Sequence, residues 1–490
     1  VLRREFILRR ARETGALNGL LNLYGFLDDQ VFLTKSGDLG VVLEITGVDY
    51  EGLEPSRRDL VARRFESALR LLDERFRLLQ YLIKQRGPVI PEEAHSNEIT
   101  DRALRARRAF LEGRRKDLFD MDLFFVVLFE GTGRRRRLSD RVTDIVHHPR
   151  AALADWLSTS RTLNLVDEEL ERARQQLLVK VEAFVVQLED TIAPTIATRR
   201  SAFHFLRRLL NYEPEKAGLR QTPPLTFLDC HLADSALECH RGFLRLDDDY
   251  VQVLTLKDPP SRTYAHLLQS LYEVPANFIA VTEWHREEPG AIRRAIQAKR
   301  RHFHNSKASL SNYLSSSPTA PQDLLIDEGA VALVSDLGAC LREIELHGRF
   351  FGECSFTVVV WDKDRADLSH AVAECLKAFA AHDAAMIQER PNLLNAWLST
   401  IPGGSAYNLR YLYLLSTNYA DLSFLFSLHR GSATNPHLRR EYLAILETTH
   451  RTPFYLNLHH QDVAHTVVLG ATGSGKSFLL NFLLTHVQKY

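Results

Sequence analysis

"GATGSGKS", residues Gly470 to Ser477, matches G-x-x-x-x-G-K-[ST] at every constrained position. "HTVVLG" (His465 to Gly470) precedes it and reads as a short apolar strand. "SFLLNFLLTHV" (Ser477 to Val487) follows and reads as an amphipathic helix. Each residue type has a physical task in this pattern. Glycines let successive backbone N–H groups turn inward around a phosphate, where a Cβ would collide. A helix starting near Lys476 aims the positive end of its dipole at the same anion. Lys476 reaches the β- and γ-phosphates, and the Ser477 hydroxyl is placed to hold Mg²⁺. The candidate nucleotide contacts are therefore Gly470, Ala471, Thr472, Gly473, Ser474, Gly475, Lys476, Ser477 and Phe478, with ATP and Mg²⁺ as the expected ligands.

Such a loop does not hydrolyse ATP alone. Hydrolysis needs an acidic residue at the end of a second strand and a group that orients water. Only 13 residues follow Ser477, enough for one helix. No catalytic residue is identifiable, because the acidic Walker B region has no counterpart in the chain. The expectation is a chain that stops just after its first strand–loop–helix unit: an intact parent that hydrolyses ATP, and negligible turnover by these 490 residues alone.

Bulk properties narrow the remaining possibilities. Hydrophobic residues make up 45% and charged residues 25%, and 62 basic residues balance 62 acidic ones. That balance excludes a histone-like or polybasic binder, so nucleic-acid contact would need a local patch. Five cysteines are too few and too scattered for a disulfide framework. "CHLADSALECH" (Cys230 to His240) holds two Cys-His pairs but lacks metal-site spacing, and reads as ordinary core or surface. The longest apolar run, "LFFVVLF" (Leu123 to Phe129), has seven residues, against about 20 for a bilayer span. The basic amino end has no apolar core of a secretory signal. A chain without a transmembrane segment, in the cytoplasm, is expected.

Between the ends, strand and helix patterns alternate. "VFLTKSGDLGVVLEITG" (Val31 to Gly47) reads as a hairpin turning at Ser36-Gly37-Asp38, followed by a helix in "PSRRDLVARRFESALRLLDERF" and a buried strand in "MDLFFVVLFEG". Leu170, Ala173, Leu177, Val181, Phe184 and Leu188 line one face of a long helix, and "SAFHFLRRLLNY" continues helical. "YVQVLTL", "NFIAVTEW" and "FTVVVWD" read as strands, with helices in "RTYAHLLQSLYEV" and "DLSHAVAECLKAFAAH". A basic helix, "GAIRRAIQAKRRHFHNSKASLSNYL", and a linker-like "SSSPTAPQD" lie between them. The fold class expected is mixed α/β, in three parts. Residues 1–220 form an amino-terminal α/β and helical region, 221–435 a second α/β domain, and 436–490 the start of a nucleotide-binding domain.

The last hundred residues carry a more specific pattern. "STIPGGSAYNLRYLYLLSTNYADLSFLFSLHRG" and "TPFYLNLHHQDVAHTVVLGATGSGKSFLLNFLL" combine Pro402-Gly403-Gly404, Asn408-Leu409-Arg410, the "FYLNLH" strand, Asp462, His465-Thr466 and the nucleotide loop. Together they resemble the TrbE/CagE class of conjugal-transfer and type IV secretion ATPases. "VQVLTLKDPPSRTYAHLLQSLYEVPANFIAVTEW" is similar to the middle of that family's amino-terminal domain. The resemblance implies an α/β amino-terminal domain followed by the first strand, P-loop and helix of a RecA-like domain. It also implies a motor subunit peripheral to the bacterial inner membrane. Such a subunit would act with other type IV secretion channel subunits, as a ring or hexamer of identical copies, and energise pilus assembly and transfer of DNA or protein. Gly475, Lys476 and Ser477 carry over by motif.

Three features stand beside this reading. "GTGRRRRLSD" (Gly131 to Asp140) places Arg134, Arg135, Arg136 and Arg137 where they could contact DNA phosphates or acidic lipids, although charged loops are commonly just solvated. The basic helix around Arg293 to Lys307 poses the same choice. Asn408 and Arg410 either line the nucleotide site or pin the chain entering it, and the donor-rich guanidinium favours pinning. Two alternative functions stay open: a DNA-translocating coupling or segregation ATPase, and a non-catalytic scaffold of the secretion channel.

Overall fold

The hairpin turning at Ser36-Gly37-Asp38 forms as expected. Thr34 N–H donates to Asp38 O (2.9 Å), and Gly37 takes the positive φ the turn needs, +90°. It belongs to a thirteen-stranded sheet that is the backbone of the molecule. The structure, a computed structural model, describes residues 17–92, 95–130, 159–223, 227–290, 348–435, 437–459 and 465–490. It also describes residue 463 and short pieces at 292–294, 296–298, 338–339, 342–343 and 345–346.

The first strands are β1 (Leu23–Phe26), β2 (Val31–Thr34), β3 (Leu39–Ile45), β4 (Phe76–Arg86) and β5 (Phe119–Phe129). Then come β6 (Leu237–Cys239), β7 (Leu244–Leu246), β8 (Asp249–Asp258), β9 (Asn277–Arg286), β10 (Phe351–Asp362), β11 (Ala385–Gln388) and β12 (Leu412–Leu415). The helices used below are α1 (Pro55–Leu69), α2 (Glu98–Gly113), α3 (Thr159–Ile192), α4 (Arg199–Arg208), α5 (Arg365–Ala380), α6 (Leu393–Ser399), α7 (Ser416–Asp421) and α8 (Lys476–Val487). Across the sheet the order is β1-β2-β3-β5-β4-β9-β10-β8-β7-β6, with β11 beside β8, β12 beside β10, and Pro194–Ile196 beside β3.

That order contains the same unit twice. β3, α1, β4, β5, α3 and Pro194–Ile196 make a β-α-β-β-α-β unit, with the last strand beside the first and the third between first and second. β8, the short helix Gln269–Glu273, β9, β10, α5 and β11 repeat the arrangement. Each is a ferredoxin-like split unit. They join through their equivalent second strands, antiparallel, from Phe278 opposite Lys84 to His285 opposite Arg77. The mixed α/β character expected from the sequence is present, and the pairings within this sheet are antiparallel.

Helices cover both faces, which explains why the strands read as continuous apolar runs rather than alternating ones. Leu78 and Leu82 of β4 point to one layer with Phe65, Phe184, Phe379 and Tyr419, contributed by α1, α3, α5 and α7. Leu79, Tyr81 and Ile83 point to the other, with Phe205 and Leu206 of α4 and Trp397 of α6. The helix expected over residues 55–76 forms as Pro55–Leu69, and the one expected over 367–382 forms as Arg365–Ala380. Pro55 sits at the first position of α1, and the Asp364 carboxylate accepts from the amides of Ala366 and Asp367.

Between β4 and β5 the first unit carries an insertion the sequence reading passed over, α2. The Asn97 side chain caps it by accepting from the amides of Ile99 and Thr100. No helix among the described residues is long and apolar enough to cross a membrane.

Candidate nucleotide-binding site

The loop Gly470–Ser477 stands at the start of α8 with its residues exposed, apart from a half-buried Lys476. Its conformation requires the glycines. Gly473 has φ +83° and Gly475 φ +88°, the left-handed region that disfavours any residue bearing a Cβ. A Cβ at Gly470 would stand 2.6 Å from Ser474 Oγ, an exposed hydroxyl that can turn away, so the strict demand for glycine falls on 473 and 475. Gly475 caps α8 without a side-chain hydrogen bond, so the helix presents its first amides to whatever occupies the loop. The Lys476 ammonium folds back over the loop and donates to the carbonyls of Gly470 (2.9 Å) and Ala471 (2.7 Å). These features would suit a phosphate chain: two glycines in left-handed conformations, an uncapped helix start and one cation folded over the loop. Thr472 and Phe478 are exposed on the same rim, Phe478 by 78%.

One expectation fails locally. "HTVVLG" is not a strand: residues 465–470 have no strand assignment, and Val467 and Leu469 are 78% and 86% exposed. A strand needs a neighbour to take its backbone donors and acceptors, and none pairs with this segment among the described residues.

Docking of α8 was not visible in the sequence. The helix leans on α2 and on a two-stranded hairpin, β13 (Ala444–Glu447) and β14 (Pro453–Leu456). Leu483 is buried against Leu443 and Ala444, with Leu456, Leu458, Leu479 and Phe482 around it. The Lys489 ammonium, buried at the far end of the helix, donates to Tyr442 O (3.0 Å) and pairs with Glu441 (3.1 Å), while His95 Nε2 meets Lys489 O at 2.9 Å. From α2, Arg107 Nε donates to Ile445 O (2.9 Å) and Arg114 pairs with Glu447 (2.6 Å). A cavity of about 360 Å³ remains between them, lined by Arg105, Arg107, Arg108, Tyr442 and His486 among others. Burial lowers the His486 pKa there. The arginine-rich "RALRARRAFLEGRR" was the available signal, but a basic helix gives no indication of which surface it meets.

Asn408 and Arg410 hold buried carboxylates of the central sheet. Arg410 forms a two-pronged pair with Glu389, which is 1% exposed and also accepts from Thr255 Oγ1 (2.5 Å). Asn408 Nδ2 donates to Glu283 (3.2 Å), and its Oδ1 accepts from the Arg410 amide (2.9 Å). Both residues therefore have structural partners. The arginines 134–137, the basic helix beyond residue 298 and Asp462 lie outside the described residues. Cys230 and Cys239 are exposed thiols, and His240 stacks on Phe243.

Residues 30–137 match the family model of the amino-terminal domain of the type IV secretion system ATPase VirB4/TrbE. The conjugal transfer protein TrbE of Rhizobium radiobacter is 23% identical over 99% of this chain and 58% of its own length. The type IV secretion system protein virB4 of Bartonella quintana is 22% identical over 95% of the chain and 56% of its length. PtlC of Bordetella pertussis is 23% identical over 98% and 56%. The chain thus spans a little over half the length of these relatives. A family model matching residues 30–137, overlapping the first ferredoxin-like unit, and relatives whose similarity runs through both units make the chain similar to the VirB4/TrbE type IV secretion ATPases.

Proposed function

We propose that this chain is the nucleotide-binding portion of a type IV secretion or conjugation motor, with ATP and Mg²⁺ held at Gly470–Phe478. The observation that carries the reading is the loop itself, with Gly473 and Gly475 in left-handed conformations ahead of an uncapped helix and Lys476 at its mouth. Lys476 would exchange its loop carbonyls for phosphate oxygens, and the Ser477 hydroxyl would face the cation. The cation, when bound, neutralises phosphate charge. α8 is then the start of a RecA-like domain, and its contacts with α2 give nucleotide occupancy a route to the large sheet.

The intact protein would hydrolyse ATP at the inner membrane, as a ring or other multimer beside channel subunits, to drive pilus assembly and transfer of DNA or protein. The names of the relatives, a conjugal transfer protein and type IV secretion system proteins, support the secretion or conjugation part of this reading. Equilibrium binding of a fluorescent ATP analogue with Mg²⁺ tests the site: saturable binding by the chain and its loss in Lys476→Ala are expected. Equal binding by that variant would sink the assignment.

A further inference from the structure

On the sheet face covered by α4 and α6, three potential metal ligands converge at the end of β9 and β10 in the second ferredoxin-like unit. His285 on β9 lies directly opposite Glu353 on β10. Glu287 follows two residues after His285. Its amide donates to Phe351 O (3.1 Å), so strand pairing continues and both side chains fall on one face. One ligand atom from each of His285, Glu287 and Glu353 lies within 4.8 Å of the other two.

The imidazole supplies an independent pointer. His285 Nε2 stands 2.9 Å from the Glu74 carbonyl, which can only accept, so Nε2 carries the proton and Nδ1 the lone pair. That Nδ1 is buried and has no hydrogen-bond partner. A histidine whose other nitrogen is anchored to a carbonyl is the usual arrangement behind a metal ligand. Glu353 is oriented in the same manner, accepting from Tyr413 Oη (3.0 Å). Arg77, opposite His285 on β4, is already engaged by Glu130 and Glu283.

We propose that His285 Nδ1, Glu287 and Glu353 bind one divalent transition cation of the zinc class, with water completing the shell. One imidazole and two carboxylates suit Zn²⁺, Mn²⁺ or Fe²⁺ better than a soft metal that prefers thiolates. The position suggests a structural role. The chain leaves β9 here and returns at β10, so a cation would clamp the base of the segment 287–350. The equivalent connection of the first unit is the one carrying α2.

Zn²⁺ titration of the EDTA-treated 490-residue chain by calorimetry is the test, repeated with Co²⁺ as a spectroscopic probe. One saturable equivalent is expected, with a Co²⁺ spectrum lacking sulfur-to-metal charge transfer and a rise in melting temperature on adding Zn²⁺. His285→Gln and Glu353→Gln should each weaken binding at least about tenfold, and Tyr413→Phe should weaken it less. Melts of the metal-free variants establish that they are folded, and Tyr413→Phe keeps the site testable if the other two are not. No saturable binding, a thiolate spectrum, or affinity unchanged in the variants would overturn the proposal.

Discussion

Arg107 of α2 holds its guanidinium 5.6 Å from the ring centre of Phe482 on α8 while its Nε donates to Ile445 O. One side chain therefore ties three elements together: the insertion of the first unit, the hairpin, and the helix that begins at the nucleotide loop. Burial lowers the Arg107 pKa, as expected for a cation drawn out of water.

Removing that link should loosen α8 before anything else. Arg107→Ala is expected to lose about 1–2 kcal/mol from the hydrogen bond and ring contact. Hydrogen exchange should quicken in α8 and the hairpin while the central sheet stays protected. A double-mutant cycle with Phe482→Ala should give coupling between the two sites. Uniform loss of protection across the sheet, or zero coupling, would count against this docking.

Gly475→Ala tests whether the loop is held in the shape a phosphate needs. At φ +88° an alanine costs about 1–2 kcal/mol, and open space around the position leaves backbone strain as the main effect. Weakening of nucleotide binding by about tenfold is expected, with the melting temperature of the central sheet unchanged. Wild-type affinity in the variant would mean the loop rearranges on binding.

Much of this was legible in the sequence. The strands 123–129, 250–256, 277–284 and 356–362 were marked by apolar runs, and the long helix by Leu177, Val181, Phe184 and Leu188, all fully buried. The nucleotide loop was legible because its glycines answer a local backbone demand. What could not be read was long-range. Pairing β4 with β9 joins residues about 200 apart in the chain, and no local pattern encodes that register. His285 and Glu353 meet for the same reason, across the β9–β10 register. α2 was missed because its few buried residues, Thr100, Asp101, Leu104 and Leu111, make a thin apolar stripe in a strongly basic helix.

Arg410→Met should expose the dependence of Glu389 on its partner. Glu389 is buried, and the guanidinium is its counter-charge, with Thr255 the remaining donor. Loss of about 2 kcal/mol is expected, moderated because Arg410 is itself partly exposed. Adding Glu389→Gln should recover part of it by removing the uncompensated charge. Urea denaturation of the single and double variants decides, and a double variant less stable than Arg410→Met would refute the account.

Lys84 gives the chain an alkaline dependence of stability. It is 1% exposed on β4, and its amine donates to Tyr272 O and Val274 O, both at 2.7 Å. Those two acceptors suit the two N–H groups of a neutral amine, and burial lowers its pKa from 10.5 to about 7. The unfolded chain keeps the proton up to about pH 10.5, so between about 7 and 10.5 it binds more protons than the folded chain. This group's contribution to stability therefore rises with pH across that window, by up to about 1.4 kcal/mol per unit. It is fully present only above the unfolded value, and is lost as pH falls towards 7. Lys84→Met removes the titrating group, at the cost of leaving two carbonyls short of a donor. Urea melts of both chains at pH 7, 8 and 9 should show a steeper rise for the native chain. Parallel curves would mean that Lys84 stays charged in the fold, with the Phe119 ring 4.7 Å away as its compensation.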